Sequence, residues 1–350
     1  MAKSVLVTGG SGFVASHLIQ QLLEGNDTVH TTVRSVANQS KVRPLEEMQK
    51  KYPGRLRLYE ADLLKPRSFD AAMDACTVVY HVASPFMLPE KIKDGQRQML
   101  EPALLGTRNV LDSVNRAASV ERVVLTSTVG AIFGDYIDVM SMENETLSER
   151  YFNTSSNIEN NPYHYAKVMA EKEAWRICNA QNRWRMVVLN PGLILGPSLT
   201  PASESGSLFL LDEMMKGYFF YGVPNLSFTT VDVRDVAVAH IKAAEKPEAN
   251  GRYILADKQM VSFLEIAKII RTVHKRPYLL GAHQIPDWVV RVIGPLFGLT
   301  QDYIGKHLGI RFQADNRRSI DELGIAYKPI RETLIDHYRS WEEQRDRTNR

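Results

Sequence analysis

The segment Asn161–Lys167 contains a tyrosine and a lysine at a spacing that suits proton transfer. Asn161 is a good helix N-cap and Pro162 a good first helical residue, so we expect a helix to begin here. Tyr163 and Lys167 then lie one turn apart on the same helix face. A phenol has an unperturbed pKa of about 10. A neighbouring ammonium lowers that pKa toward the range of an efficient general acid, so the spacing predicts Tyr163 as proton donor and Lys167 as its partner.

The same face places Lys167 among apolar residues, since Ala170, Ala174 and Ile177 follow at helical spacing. A lysine on a buried stripe needs a reason, and a catalytic role supplies one. The alternative is a core tyrosine beside a lysine that reaches solvent along its stem, because the Tyr-x-x-x-Lys pattern also arises by chance. Tyr165 is a competing acid, but no lysine stands four residues after it.

A tyrosine that protonates a carbonyl oxygen works best with a second donor on the same oxygen. Thr126-Ser127-Thr128 offers three hydroxyls at the end of a candidate strand. Strand alternation directs Ser127 to the face opposite its two neighbours. We expect Thr128, nearest the carboxyl end of the strand, to be the catalytic hydroxyl, with Ser127 as the alternative.

A glycine-rich turn follows the first candidate strand, in the segment Thr8–Ala15. Gly9 permits a tight turn, and Gly12 lets the main chain approach a pyrophosphate at the start of a helix. Ala15 takes the third, packing position. Glycines in turns often serve backbone freedom alone, but the strand before and the helix after this turn favour dinucleotide binding.

The end of the second strand indicates which dinucleotide is bound. A carboxylate there would hold the ribose 2′-hydroxyl of NAD and repel the 2′-phosphate of NADP. The candidate strand Thr28–Val33 is followed instead by Arg34, with Lys41 seven residues later. Both could be ordinary surface charges, but their position favours NADP(H).

Composition excludes several classes of protein. The chain has 350 residues, 44% hydrophobic and 24% charged, which is enough apolar mass for a core and argues against a fibre or a disordered chain. The net charge of +3 is spread along the chain, so we expect no nucleic-acid partner. Cys76 and Cys178 give neither a disulfide framework nor a metal spacing, and we expect no metal. With no segment near the roughly 20 apolar residues of a membrane span, we expect a cytoplasmic protein without membrane contact.

Short apolar runs alternate with amphipathic stretches through residue 190. This order predicts an α/β fold of Rossmann type, with a doubly wound parallel sheet covered on both faces. The predicted strands are Ser4–Thr8, Thr28–Arg34, Arg55–Ala61, Thr77–Ala83, Arg122–Thr126 and Arg185–Asn190. The predicted helices between them are Gly12–Glu24, Pro66–Asp74, Gln98–Ala117 and Pro162–Ala180.

After Pro191 the alternation weakens, and we expect a smaller, mainly helical C-terminal lobe that binds substrate. Val231–Glu245 and Gly251–Leu255 have the pattern of a helix and a strand that return to the sheet. Ser262–His274 and Asp287–Phe297 have that of lobe helices. The predicted division is a cofactor domain of residues 1–190 with 229–256, and a lobe of residues 191–228 and 257–350. The charged run from Trp341 is predicted to be a helix end or a frayed tail.

Together these residues resemble the extended short-chain dehydrogenase/reductases, in the branch of dihydroflavonol reductases, cinnamoyl-CoA reductases and microbial carbonyl reductases. The resemblance covers nearly the whole chain. Besides the glycine turn and the Tyr163/Lys167 pair, it includes Ala61-Asp62-Leu63, His81–Pro85, Gly106–Leu111, Asn190-Pro191-Gly192, Gly196-Pro197, Asp232–Ala237 and Ser319–Gly324.

The resemblance implies a cofactor site as well as a fold. Asp62 and Leu63 flank the adenine, Val82 and Ala83 line the ribose and phosphate path, and Pro191 and Leu193 contact the nicotinamide side. The catalytic serine of the family falls on Thr128, so a threonine replaces it. The full expected NADP(H) site is Thr8, Gly9, Gly12, Phe13, Val14, Arg34, Lys41, Asp62, Leu63, Val82, Ala83, Ser84, Thr126, Tyr163, Lys167, Pro191 and Leu193.

Two departures from the family pattern bear on the substrate. Phe133 stands where dihydroflavonol reductases carry an asparagine, and the cinnamoyl-CoA reductase signature around the tyrosine is replaced. We therefore expect an apolar pocket for small or medium hydrophobic aldehydes and ketones. Its expected lining is Phe86, Met87, Phe133, Leu193, Phe220 and Tyr221, each of which could instead be a core residue.

The predicted function is NADPH-dependent reduction of aldehydes and ketones by a monomer or homodimer. One alternative is a sugar-nucleotide epimerase or dehydratase that retains NAD, which the Arg34/Lys41 pair disfavours. A second is a regulator that senses NADP(H) without catalysis, which an intact Tyr163/Lys167 pair disfavours.

Overall fold

The computed structural model describes residues 3–85, 87, 92–200 and 205–348, and its strands confirm the predicted alternation. The strands are β1 (Ser4–Val7), β2 (Thr28–Val33), β3 (Leu56–Glu60), β4 (Val78–His81), β5 (Arg122–Thr126), β6 (Thr146–Leu147), β7 (Arg185–Pro191), β8 (Leu193–Leu195), β9 (Ser227–Phe228), β10 (Thr230–Asp232), β11 (Gly251–Leu255), β12 (Val261–Ser262) and β13 (Gln313–Ala314).

Helices connect these strands and build the C-terminal part. They are α1 (Phe13–Glu24), α2 (Gln39–Lys51), α3 (Glu101–Arg116), α4 (Tyr136–Val139), α5 (Pro162–Asn179), α6 (Gly206–Lys216), α7 (Val233–Glu245), α8 (Phe263–Arg271), α9 (Asp287–Ile293), α10 (Gln301–His307), α11 (Arg317–Asp321) and α12 (Ile330–Thr348). A π-helical turn, Gln96–Leu100, precedes α3. Short 3₁₀ turns occur at Ala71–Met73, Val129–Ala131, Glu143–Glu145, Pro277–Leu279 and Gly294–Phe297.

Seven strands form one sheet in the order β11-β7-β5-β4-β1-β2-β3. Every neighbouring pair is parallel. The order reverses at β1, so the carboxyl ends of β1 and β4 flank the crevice in which doubly wound sheets bind ligands. The predicted Rossmann-type fold is confirmed.

The two faces of the sheet have separate cores because successive strand residues point to opposite sides. On β1, Val5 and Val7 pack with α1 and α7. Leu6 packs on the other face with residues of α3 and α5, among them Val110 and Ala174. The sheet is therefore buried on both faces, as all-parallel sheets require.

Two local predictions were wrong. The predicted helix Pro66–Asp74 is a series of turns ending in the 3₁₀ turn Ala71–Met73. Arg67 has φ of 65°, a left-handed conformation that an α-helix cannot include. Helix α2 was not among the predicted helices: it contains Pro44 and buries only Val42 and Leu45, so its helical pattern in the sequence is weak.

The C-terminal part has its own core. Residues of α6, α8 and α12 pack around Leu211, Ile266 and Leu334. The predicted division needs one correction, because Leu323 and Ile325 join the core beneath α1 and α7. Residues near α11 thus return to the sheet, although the sequence assigned all of 257–350 to the lobe. The predicted lobe helix Asp287–Phe297 is α9 followed by a 3₁₀ turn at Pro295.

No helix in the described part of the chain combines the length and apolarity needed to span a membrane.

Candidate active site

The glycine turn between β1 and α1 leaves room for a bound anion. Gly9 has φ of 72°, and a Cβ added there would lie 3.0 Å from the Cβ of Ala83. Gly12 caps α1 without a side-chain hydrogen bond. The first-turn amides of Phe13 and Val14 have no intrahelical partner by helix geometry. The turn therefore has the form of a phosphate cradle, which fits the pyrophosphate of a dinucleotide.

Thr8 has a supporting position in this cradle. Its side chain is fully buried, and its hydroxyl oxygen accepts hydrogen bonds from the amides of Val82 (3.1 Å) and Ala83 (3.0 Å). Thr8 therefore joins the end of β1 to the segment after β4. Ser84, the next expected contact, is exposed at the rim.

The cations expected to select NADP lie at the end of β2. Arg34 is exposed directly after the strand, and Lys41 is half-buried in the first turn of α2. Glu60 ends the neighbouring strand β3, but its carboxylate accepts the Val36 amide at 2.8 Å. The Glu60 carboxylate therefore holds the loop after Arg34 in place. Arg34 is the charged side chain that directly follows β2, where it could meet the 2′-phosphate.

The expected adenine contacts, Asp62 and Leu63, follow β3. Asp62 accepts a hydrogen bond from the Leu64 amide at 2.9 Å, which forms a tight turn. The Leu63 carbonyl accepts one from Asn109 of α3 at 2.7 Å. Asn109 belongs to a motif that the sequence analysis noted only through the family resemblance, and this contact explains it.

Helix α5 begins as predicted. The Asn161 side chain accepts the His164 amide, and Pro162 is the first helical residue. Tyr163 is half-buried and packs in a small cluster with Met87 and Met99. On the other side, a Cβ added at Gly130 would lie 2.4 Å from the His164 ring, so the bare glycine lets α5 approach the turn after β5.

Lys167 lies at the carboxyl end of β5. Its Nζ donates a hydrogen bond to the Thr126 carbonyl oxygen at 3.0 Å. The Thr126 hydroxyl is 2.7 Å from Nε2 of His240, so its side chain faces α7. Lys167 therefore contacts the strand end that leads to Thr128, and it follows Tyr163 by one turn on α5.

Burial dominates the electrostatics of the pair. It lowers the pKa of Lys167 to about 8, while the charge of Glu171 acts in the opposite direction. Burial also raises the pKa of Tyr163 to about 12. The Tyr163/Lys167 spacing alone predicts that the lysine lowers the pKa of the tyrosine. In the folded arrangement burial raises this pKa instead, and the phenol is protonated at neutral pH.

The two candidate hydroxyls have different surroundings. Ser127 is only 5% exposed, and its Oγ donates to Glu171 at 2.5 Å. The Thr128 oxygen accepts the Gly130 amide at 3.2 Å, and Thr128 is half-buried. Because accepting a hydrogen bond leaves a hydroxyl proton free for donation, the surroundings favour Thr128 as the donor.

A cleft opens beside Ser127 and Lys167. It is lined by the ends of β4 and β5 together with faces of α3 and α5, including His81, Ala83 and Thr126, while Tyr163 and Thr128 lie outside its lining. On the far side, Pro191 is buried at the end of β7, and Leu193 is half-buried at the start of β8. The residues expected on the phosphate, ribose and nicotinamide path thus share the carboxyl edge of the sheet.

The residues expected to line the substrate pocket do not all lie where the sequence predicts. Phe86 lies outside the described residues. Met87 packs in the Tyr163 cluster. Phe133 is only 4% exposed and packs against the rings of Tyr136 and Phe312, so it is a core residue, a correction to the expected lining role. Phe220 and Tyr221 are 63% and 38% exposed after α6, on the surface of the C-terminal part.

Three buried polar residues beside the site escaped the chemical reasoning from the sequence: Glu171, Asn190 and Arg252. Glu171 could have been noticed, since it continues the Tyr163/Lys167 spacing by one turn. Arg252 gives no local signal, because its partner Glu171 lies on another element.

Comparison with known proteins agrees with this architecture. Residues 5–256 match the model of the NAD dependent epimerase/dehydratase family. The chain is 33% identical over 347 residues to cinnamoyl-CoA reductase 2 of Arabidopsis thaliana, covering 98% of this chain and 93% of that one. It is 35% identical over 280 residues to a (2S)-flavan-3-ol-forming anthocyanidin reductase of Vitis vinifera, covering 77% and 80%.

A solved structure is similar over the whole chain. Yeast methylglyoxal/isovaleraldehyde reductase Gre2, complexed with NADPH, has a TM-score of 0.80 at 27% identity and covers 98% of this chain and 99% of its own. The expected resemblance to the reductase branch is confirmed by these relatives. The chain belongs to the NAD dependent epimerase/dehydratase family, the extended short-chain dehydrogenase/reductases.

Proposed function

We propose that this protein is an NADPH-dependent reductase of aldehydes and ketones, in which Tyr163 and Thr128 bind the carbonyl oxygen and Tyr163 donates the proton. One contact supports it above all: the Lys167 Nζ on the Thr126 carbonyl oxygen, 3.0 Å away, at the strand end that carries Thr128. The amine is thereby held at the strand end that leads to Thr128, one helical turn from Tyr163.

NADP(H) is the cofactor. The glycine turn offers the amides of Phe13 and Val14 to the pyrophosphate, and Arg34 is available for the 2′-phosphate. Asp62, Leu63, Val82 and the other family-implied contacts follow the sheet edge toward the nicotinamide. The NADPH complex of the yeast reductase is consistent with this choice.

When bound, the nicotinamide supplies a hydride to the carbonyl carbon. The residues of this chain do the rest. Thr128 donates a hydrogen bond to the oxygen, and Tyr163, protonated at neutral pH because burial raises its pKa to about 12, transfers its proton to that oxygen. One hydride and one proton added to a carbonyl give the alcohol. The Lys167 ammonium stabilises the phenolate left on Tyr163.

The substrate is a small or medium hydrophobic carbonyl compound. The Met87–Met99 cluster beside Tyr163 supports an apolar neighbourhood for the reacting group. In this proposal the sheet domain holds the cofactor and the helical C-terminal lobe selects the substrate. Both cysteines are buried free thiols, which is consistent with a protein that functions in the reducing cytoplasm.

A carbonyl panel with NADPH and the variant Tyr163→Phe test the function. Following NADPH absorbance, we expect turnover of hydrophobic aldehydes or ketones and a loss of at least ~100-fold in kcat for Tyr163→Phe, because the variant has no proton to transfer. NADPH affinity, measured by fluorescence titration, should be nearly unchanged.

Tyr165→Phe is the matched control, since it removes a phenol two residues away on the same helix. It should keep most of the activity. Full turnover by Tyr163→Phe, or a selective loss in Tyr165→Phe, would contradict the assignment. NADPH binding without turnover of any carbonyl would favour the regulator.

A further inference from the structure

A buried pair of opposite charges lies behind the proposed catalytic residues. Arg252 on β11 and Glu171 on α5 approach to 2.6 Å (Nε to Oε1), and their side chains are 7% and 0% exposed. Burying two charges costs several kcal/mol per ion unless good geometry and further hydrogen bonds compensate. Neither residue has a part in the hydride and proton transfers described above. Their other contacts indicate what they do.

The Glu171 carboxylate is tied to the strand ends that carry the site. Its Oε2 accepts hydrogen bonds from Ser127 Oγ at 2.5 Å and from Asn190 Nδ2 at 3.1 Å. Asn190 Nδ2 also lies 3.0 Å from the Thr128 carbonyl oxygen. A single amide group thus links the carboxylate to the backbone of the proposed hydroxyl donor.

The Arg252 guanidinium contacts the chain near Ala131, three residues after Thr128. It donates to the carbonyl oxygens of Glu149 (3.0 Å), Tyr151 (2.5 Å) and Ala131 (3.3 Å). Its plane lies over the Phe152 ring, 4.0 Å from the centroid. Ala131 ends the 3₁₀ turn that follows Thr128. Hydrogen bonds from the pair therefore reach both ends of the Thr128–Ala131 segment: Glu171 through Asn190 at Thr128, and Arg252 directly at Ala131.

Glu171 is also the anion that faces Lys167. It lies one turn further along α5, and its charge raises the pKa of Lys167 against the effect of burial. The other groups around the amine are Tyr163 on α5, the Thr126 carbonyl on β5 and His81 at the end of β4. Burial lowers the pKa of His81 to about 3, so this histidine is neutral near pH 7.

We propose that Glu171 and Arg252 are positioning residues for the proposed reduction: Glu171 supplies the negative charge that faces Lys167, and the pair together holds the Thr128–Ala131 segment against α5. This inference rests on the function proposed above. The pair makes no contact with substrate in this scheme and acts only through Lys167 and Thr128.

The charge effect is tested with Glu171→Gln, which keeps the shape and removes the charge. The pKa of Lys167 is measured by NMR of 13Cε-labelled lysine, with the signal assigned by its loss in Lys167→Arg. We expect this pKa to fall by about one unit, a tenfold change in the protonation equilibrium. In the wild type, kcat/KM should fall as pH rises through about 8. In the variant the same fall should occur at a pH lower by about one unit, in step with the Lys167 pKa.

Glu173→Gln is the matched control. Glu173 lies two residues further on α5 but pairs with Arg108 and Arg176 on the outer side, so its loss should leave the Lys167 signal and the pH profile in place. If Glu171→Gln and Glu173→Gln give the same Lys167 pKa, the electrostatic role is refuted.

The double variant Glu171→Met/Arg252→Met tests the geometric role and guards against misfolding of a single variant. Replacing both members of a buried ion pair by apolar side chains often preserves stability. We expect a folded protein with kcat reduced about 10- to 100-fold, since the Thr128 hydroxyl is no longer held in register. Arg252→Lys, which keeps a charge but loses the planar fork, should show an intermediate loss.

The two proposals fail in different ways. The NMR measurement requires no turnover, so an unchanged Lys167 pKa in Glu171→Gln refutes the positioning role even in an active reductase. A Lys167 pKa below 7 in the wild-type protein would also refute the positioning role, because the amine would then be largely neutral at pH 7. Full activity of Tyr163→Phe refutes the proposed function instead, whatever the lysine does.

Discussion

Ser127 and Thr128 are adjacent hydroxyls whose roles differ because their partners differ. Ser127 donates its proton to a buried carboxylate at 2.5 Å. Thr128 accepts a backbone amide at 3.2 Å and retains a proton to give. A hydroxyl already committed to a charged acceptor is a poor donor to substrate, so we propose Thr128 as the catalytic hydroxyl at this strand end.

Substitutions at the two positions should therefore have different effects on kcat and on stability. We expect Thr128→Val to lower kcat by about 10²- to 10³-fold, the usual effect of removing one donor to a developing oxyanion, whereas Thr128→Ser keeps the hydroxyl and most of the rate. Ser127→Ala should lower kcat far less and instead reduce stability by about 1.5–3 kcal/mol, as expected for a lost hydrogen bond to a charged group. Steady-state kinetics and urea denaturation of the three variants check this, and a larger kinetic loss in Ser127→Ala would reverse the assignment.

At the scale of elements, we expect nucleotide preference to be decided where β2 ends. The parallel register brings Val33 opposite Glu60, and Glu60 holds the loop that follows through the Val36 amide. Arg34 emerges between these two fixed points with its side chain exposed. An anchored backbone beneath an exposed cation suits recognition of a phosphate at a defined distance from the glycine turn.

Arg34→Ala should lower the preference for NADPH over NADH by about 10- to 100-fold, because a charge-assisted contact of about 1.5–3 kcal/mol is lost for one nucleotide only. The ratio of kcat/KM for the two nucleotides measures it. Arg43→Ala is the matched control, since Arg43 is another exposed arginine close by on α2 and pairs with Glu47. An unchanged ratio in Arg34→Ala would show that another group selects the nucleotide.

For the whole molecule, buried histidines couple stability to pH. Burial lowers the pKa of His81 to about 3 and those of His164, His240 and His337 to about 4. These four lie in the sheet, on α5, on α7 and on α12, so both parts of the fold are affected. In the unfolded chain a histidine has a pKa of about 6.5, and it therefore binds a proton before the folded form does.

The stability from these groups is complete above about pH 6.5 and is lost as pH falls toward 4. Each histidine contributes up to roughly 1.4 kcal/mol per pH unit in that window. Asp235, whose pKa burial raises to about 6, acts in the opposite direction, as do Glu149 and Asp257, whose pKa values burial also raises. We expect the urea midpoint to fall clearly between pH 7.5 and pH 5, and a flat midpoint would contradict buried neutral histidines.

The sequence by itself determined what depends on local pattern. The strand–turn–helix order around Gly9, the cap at Asn161 and the one-turn spacing of Tyr163 and Lys167 are short-range features, and each appears in the structure close to its predicted place. Local pattern failed where it is weak or overridden, as at α2 and at Arg67. It also could not decide between Ser127 and Thr128, because alternation shows that they face opposite sides but not what they meet there.

Only the tertiary structure decided which groups surround those residues. The contact between Glu171 and Arg252 joins positions 81 residues apart in sequence, and Phe133 lies in the core because Phe312 comes to cover it. The same holds for Leu323 and Ile325, which return to the core of the sheet. Burial and charge pairing arise between elements that the chain brings together from a distance, so the pKa values of Tyr163 and Lys167 could be obtained only from the folded arrangement.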